Sequence, residues 1–324
     1  MITEKTIFIL GAGASKPFGM PLGHELIEII KGTNITNDKY KEILDAIKTA
    51  FNRIEESDPH ADYSKRLGQM QDLLSRWPTK ETFDFFLLNN RQFNKTGKAF
   101  IAFTFYFLSN KNSIFNSYNV QNWYNTLWGY LHSEDFENFL EQPLKIYTFN
   151  YDFTLDYFLL NSIDAKYNMG YLDMRLLEEK CKTIMPIHIY GSMGKVSELH
   201  NMKKFEIGQH DHNRDDYSHY FNDATNQIHL INERATTNIF NEINNYVLEG
   251  YRVVFLGFGF DEQNLKNLRL DEWRANNCNV IGTAFGLSNH EFTKISKLFS
   301  NDPSKQVLYN QDCNTFLRDS LFLS

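Results

Sequence analysis

TIFILGAGASKPFGMPLGHEL, residues 6–26, decides the fold. Thr6 to Leu10 is a short apolar run with β-branched content, long enough for one buried strand. It runs into Gly11-Ala12-Gly13-Ala14-Ser15, after which Leu22, Leu26 and Ile29 resume the chain with helical spacing. Strand, glycine turn and helix in that order bring backbone N–H groups up to a pyrophosphate in an open α/β sheet. Gly11 suits the tight turn, and Gly13 a close approach of the phosphate. The turn departs from the ordinary dinucleotide fingerprint, because Lys16 stands at the third glycine position and Gly19 comes three residues late. A plain tight turn is the competing reading.

The 324 residues suffice for one large α/β domain or for such a domain with an inserted lobe. With 33 basic and 40 acidic residues the formal charge is −7, which gives no footing to a free-standing nucleic-acid binder. Cys181, Cys278 and Cys313 are too dispersed for a zinc knuckle or a disulfide framework, so a reducing cytoplasm is the expected setting. No apolar run approaches the ~20 residues of a membrane span, and MITEK does not start a secretory signal. The 28 phenylalanines are expected to be packing between helices, with part of that surface open to use as an oligomer or partner interface.

The character of the chain changes twice. After residue 32, helix-period segments at Tyr40–Ile54, Leu67–Trp77, Phe83–Leu88, Phe100–Leu108 and Trp123–Leu131 are separated by Asn, Ser and Pro breakers. From 144 onward strands alternate with helices: LKIYTFN ends at Asn150, TIMPIHIYGS near Ser192, YRVVFLGFGF near Gly257 and NVIGTAF near Thr283. The expectation is a single α/β domain over 1–324. It has a Rossmann-like, doubly wound parallel sheet built from 1–32 and 144–324, with a helical insertion over about 33–143.

Ligands of such a sheet sit outside the carboxyl ends of its strands. Here those ends carry Gly11-Ala12-Gly13, Asn150-Tyr151-Asp152, His188-Ile189-Tyr190-Gly191-Ser192 and Gly257-Phe258-Gly259-Phe260-Asp261. Small, amide, imidazole and carboxylate groups in one place suit a dinucleotide and a hydrolytic reaction. Each also has a plainer reading. Asn150 and Asp152 are good helix caps ahead of FTLDYFLL, and a lone strand histidine is most often a satisfied core residue.

These residues carry a family resemblance. GAGAS with Gly19-Met20-Pro21 resembles the sirtuin GAGxS…GIP motif, Thr148-Phe149-Asn150-Tyr151-Asp152 resembles the TQNID motif, and His188–Ser192 resembles the histidine-glycine-serine segment. In motif order from 11 to about 284, the chain is similar to the bacterial sirtuin-like NAD+ hydrolases of anti-phage defence. GFGFDEQNL and HIYG are also similar to the AbiH abortive-infection family. The resemblance implies a sirtuin-like fold, NAD+ as substrate and its cleavage to ADP-ribose and nicotinamide. It implies an effector acting as a homo-oligomer or with an ATPase, Argonaute-like or nucleotide-sensing partner. Asn150 would hold the ribose hydroxyls and the attacking water, Asp152 would orient Asn150 or meet the carboxamide, and His188 would be the base. Gly11, Ala12, Gly13 and Ser15 would cradle phosphates, and Gly257 and Asp261 would flank the adenosine half. Pro21, Thr148, Tyr190, Gly191, Ser192, Phe258, Gly259 and Thr283 complete the expected cofactor-binding set.

Three departures matter. The chain has no CxxC pair, so the zinc ribbon and the peptide cleft it supports are missing, which argues against an acyl-lysine substrate. Leu22-Gly23-His24 replaces the Phe-Arg expected after the proline. Tyr190, not histidine, precedes Gly191, and His188 lies two residues upstream. Residues two apart on a strand share a face, so His188 could reach the cleft from one step deeper. Tyr190 as base, or a site that binds NAD+ without cutting it, are the other readings. His210-Asp211-His212 with Asp215, Asp216 and His219 matches no zinc spacing and reads as a polar loop or lid over the nucleotide, so no metal is expected.

Overall fold

The structure, a computed structural model, describes residues 2–32, 37–77, 82–116, 118–131, 133–169, 174–194, 224–230, 234–300, 302 and 305–319. Six short runs form its strands: β1 (Thr6–Leu10), β2 (Leu144–Thr148), β3 (Ile187–His188), β4 (Arg252–Leu256), β5 (Val280–Thr283) and β6 (Leu308–Tyr309). They make one parallel sheet in the order β3-β2-β1-β4-β5-β6. This is the doubly wound, Rossmann-like order, and its direction reverses between β1 and β4. β1 and β4 are buried along their whole length, as central parallel strands covered on both faces must be.

Between β1 and β2 the chain is helical among the described residues. It runs through α1 (Ala12–Ser15), α2 (Gly23–Lys31), α3 (Asp38–Ser57), α4 (Tyr63–Ser75), α5 (Phe83–Asn89), α6 (Asn94–Leu108), α7 (Lys111–Ile114), α8 (Trp123–Leu131) and α9 (Phe136–Leu140). Helix α6 is apolar nearly all round, so it sits inside this lobe rather than on it. Its Phe103 and Phe100 meet Phe51 and Phe83 edge-on, and Phe83, Phe86 and Phe93 stack in turn beside it. Gly97 lets α5 pack closely on α6: a Cβ there would sit 2.4 Å from Leu87 Cδ2 and force that side chain to shift. The phenylalanine-rich composition is helix packing, as the sequence suggests.

The rest of the chain adds α10 (Thr154–Tyr167), α11 (Met174–Lys180), α12 (Arg234–Leu248), α13 (Glu262–Asn267), α14 (Leu270–Ala275), α15 (Asn289–Phe299) and α16 (Cys313–Asp319). Three details differ from the sequence reading. β3 stops at His188 instead of running to Ser192, because Gly191 N–H turns back to His188 O and Gly191 takes φ +71°. β6 was not expected; LY between polar residues is too short to give a strand signal. The apolar spacing of Gln263–Leu270 suits one helix, but the helix breaks at Arg269, which adopts φ +51° between α13 and α14.

The register places the site. Leu10 pairs with Thr148 on one side and Leu256 on the other, and Thr148 pairs with His188. Four strands therefore end level, and the residues just beyond them emerge together. Among the described residues no helix is long and apolar enough to cross a membrane.

Candidate functional site

Gly11 and Gly13 do allow a close approach, but what approaches is the protein's own Gly257 turn. Gly11 N–H donates to Leu256 O at 3.1 Å, Gly13 N–H to Gly257 O at 2.9 Å and Ala14 N–H back to Gly11 O at 2.9 Å. A Cβ on Gly11 or Gly13 would lie 2.7 or 2.8 Å from Gly257 O. These amides, expected to cradle phosphate, are engaged inside the protein. A phosphate that used the Gly13 amide would have to displace the Gly257 carbonyl. Lys16, the misplaced residue of the fingerprint, reaches out to the Glu25 carboxylate of α2, and Pro21 is buried just before α2.

The polar residues of the next two strand ends converge beside that turn. Asn150 does not cap α10. Its side chain reaches back, donating from Nδ2 to Gly11 O at 3.0 Å and to Ser15 Oγ at 2.9 Å. A carbonyl accepts only, so the Gly11 contact fixes which way the amide points and leaves Oδ1 as its remaining group. Asn150 N–H donates to Thr148 Oγ1 at 3.0 Å, which ends β2 two residues before the expected boundary.

Asp152 does take a cap-like bond, with its Oδ1 accepting from Thr154 N–H at 3.1 Å. Oδ1 also receives the Thr154 hydroxyl, which in turn lies 2.7 Å from Tyr124 OH on α8. The directions are fixed: Tyr124 O–H donates to Thr154 Oγ1, and Thr154 O–H donates to the carboxylate. Oδ2 is buried and has no hydrogen-bond partner among the described residues. Burial pushes the Asp152 carboxyl above its usual range, while the neighbouring Thr154 and Ser15 hydroxyls and the His188 ring pull it back.

His188, at the end of β3, is held at both ring nitrogens. Nδ1 lies 2.8 Å from Asn150 O, and Nε2 lies 3.2 Å from Asp156 Oδ2 on α10. The carbonyl requires a proton on Nδ1, and the carboxylate favours one on Nε2, so the geometry suits an imidazolium. Burial works against that charge, but the Asp156 carboxylate beside it and the Asn150 carbonyl outweigh burial and raise the His188 pKa. Neither nitrogen offers a lone pair to the pocket, which tells against His188 as the base.

Tyr190 does not share that pocket. Its hydroxyl bonds Asn264 Oδ1 of α13, its ring packs edge-on to Phe149, and burial with Asp84 and Asp261 nearby raises its pKa further. Gly191 is required because a Cβ would lie 1.8 Å from Gln227 O in the helical turn 224–227. Ser192 Oγ donates to Gly194 O. Asp261 caps α13 through the Gln263 and Asn264 amides, Thr283 Oγ1 accepts Gly257 N–H at 2.8 Å, and Phe258 is buried against Phe149 and Phe255. Gly259 alone of this turn is exposed with open space beside it. The turn expected to flank adenosine is thus largely occupied in holding its own shape.

What remains is a small, partly open pocket lined by Ser15, Tyr124, Thr148, Asn150, Asp152, Asp156 and His188 over Leu10 and Ala14. It leaves about 10 Å³ for the centre of a water molecule, room for about one water. Asp156 was missed in the sequence: it stands in the first turn of α10, whereas Asp152 precedes the helix, so no helical spacing links the two. Tyr124 and Trp123, whose Nε1 donates to Ala14 O at 2.7 Å, come from the helical lobe and carried no local signal.

The His188–Asp156 pair predicts a pH dependence of stability. The folded-state pKa lies above the unfolded value of about 6.5, so the pair's contribution is complete below that pH and is lost as pH rises through the folded value. The melting-temperature gap between wild type and His188→Gln is expected to be widest near pH 6 and to close toward pH 9. A gap independent of pH would show that the ring does not titrate there.

Among the described residues no group of His, Cys, Asp or Glu is arranged to hold a metal ion, and the His210–His219 cluster lies outside them. EDTA is expected to leave the melting temperature unchanged; stoichiometric zinc in the purified protein would overturn this. No protein-family model and no curated protein matches the chain, so its likeness to the sirtuins rests on the motifs quoted above.

Proposed function

We propose that the chain is an NAD+ hydrolase that breaks the nicotinamide–ribose bond, acting as a cytoplasmic effector of bacterial anti-phage defence. One observation carries this reading: Ser15, Asn150, Asp152 and His188, from three different strand ends, line one pocket at the carboxyl edge of a doubly wound sheet. By the motif resemblance, the nicotinamide half of NAD+ would lie against this set.

The chemistry suits the groups present. The nicotinamide ring leaves as a neutral base, and the ribose passes through an oxocarbenium-like state that needs a nearby negative or acceptor group and a positioned water. Asp152 supplies the carboxylate, and Asn150 Oδ1 an acceptor for a ribose hydroxyl. Use of the Gly13 amide by a phosphate requires the Gly257 carbonyl to draw back when nucleotide enters, because the two are bonded.

Nicotinamide release from NAD+ by the purified protein, with binding followed separately by calorimetry, tests the activity. A second reading, a subunit that binds NAD+ and hands the signal to a partner without cutting it, is favoured by His188, whose two nitrogens are both held. Binding without release would establish that second reading.

A further inference from the structure

We infer that Asp152, through Oδ2, is the general base of this site, and that His188 is a cation held in place by Asp156. The inference rests on the reading of the site as an NAD+ hydrolase.

The other titratable groups near the pocket are already engaged. His188 faces a carbonyl and a carboxylate. Asp156 is the partner of His188, Asp261 accepts two amides of α13, and Asp84 of α5 accepts the Tyr151 hydroxyl. Tyr190 and Tyr124 keep their protons and donate them, to Asn264 and Thr154. Asp152 Oδ2 lines the pocket, buried and outside hydrogen-bond geometry with any described residue, while the Ser15 hydroxyl nearby favours the ionised carboxylate. A buried carboxylate oxygen without a donor is costly, and a pocket with room for about one water is where that donor fits.

The carboxylate cannot turn away from the pocket. Oδ1 is held by Thr154 N–H and by the chain from Tyr124 through the Thr154 hydroxyl. The groups facing Asp152 are Ser15 from α1, Tyr124 from α8, Thr154 and Asp156 from α10, and His188 from β3. Burial raises its pKa above the usual carboxylate range, which makes the ionised carboxylate a stronger proton acceptor.

The step balances without a co-reactant. The water oxygen bonds to ribose C1′ as the C1′–nitrogen bond breaks. That bonding pair leaves with nicotinamide and neutralises its ring. The water proton passes to Asp152 Oδ2 and later to solvent. The sum is NAD+ and water giving ADP-ribose, nicotinamide and a proton. His188 acts by position: it holds the Asn150 carbonyl and lowers the Asp152 pKa by its charge.

Nicotinamide release is measured from pH 5 to 9 for wild type, Asp152→Asn, Asp152→Glu and His188→Gln, with NAD+ binding by calorimetry and folding by circular dichroism. The wild-type rate is expected to climb along an acidic limb. Asp152→Asn should bind NAD+ and lose about 100-fold or more at every pH, with Asp152→Glu recovering part of it. His188→Gln should stay within about tenfold of wild type, with the acidic limb displaced to higher pH because the neighbouring positive charge is gone. If Asp152→Asn keeps more than about a tenth of the wild-type rate, or His188→Gln is dead while Asp152→Asn is active, the base is misassigned. Should Asp152→Asn fail to fold, Asp152→Glu decides: an acidic limb unmoved from wild type overturns the assignment. A wild type that binds NAD+ but releases no nicotinamide removes the hydrolase reading, and the base with it.

Discussion

Asn150→Ala is expected to lower nicotinamide release by about 10²-fold or more while the protein still folds. Asn150 joins two parts of the site. Its Nδ2 donates to Gly11 O of the first turn and to Ser15 Oγ, and its main-chain carbonyl receives His188 Nδ1. Removing the amide deletes two buried hydrogen bonds, worth roughly 1 kcal/mol each. A domain of 324 residues should tolerate that loss. The larger effect is on chemistry, because Ser15 loses the donor that orients it beside Asp152, and the ribose loses the Oδ1 acceptor. Rates, calorimetric affinity and a melting curve on the same preparation separate the two effects. If the folded variant released nicotinamide within tenfold of wild type, Asn150 would be a strap between the β1 and β2 turns and nothing more.

Much of the fold was legible because its signals are local. Apolar runs ending in glycine or Asn-x-Asp marked β1, β2, β4 and β5, and level register then brought their ends together. β6 and the true length of β3 were not legible, because both strands are two residues long and owe their existence to neighbours in the sheet. The sequence grouped Ser15, Thr148, Asn150, Asp152 and His188, which line one pocket, but it showed neither their wiring nor Asp156 and Tyr124 beside them. Asn150, Asp152 and His188 stand where motif order predicts, yet the partner of His188 is Asp156, 32 residues away, a pairing that no periodicity announces. Tyr124 and Trp123 reach the site from a lobe that looked like separate packing. The glycines misled in an instructive way. Sequence shows that a position must lack Cβ but not what fills the space, and here the occupant is another backbone turn.

Gly257→Ala tests that occupant. Gly257 takes φ +58°, a left-handed conformation that costs a side chain free energy, and an added Cβ would lie 2.0 Å from Ala14 N and 2.3 Å from Gly13 C. Both clashes are with backbone, which cannot swing aside as a flexible side chain would. Strain and overpacking together should cost on the order of 4 kcal/mol, read by urea unfolding with no nucleotide present. Gly259→Ala, two residues on, is the control: the position is exposed with open space around it, so a change within about 0.5 kcal/mol is expected. The comparison separates two reasons for one glycine. If the β1 and β4 turns need their glycines to pack on each other, Gly257→Ala is unstable before any ligand is added. If the glycine were there for phosphate, the variant would be as stable as wild type without NAD+ and would lose only its binding, and the close packing of the two turns would then be incidental to their sequence.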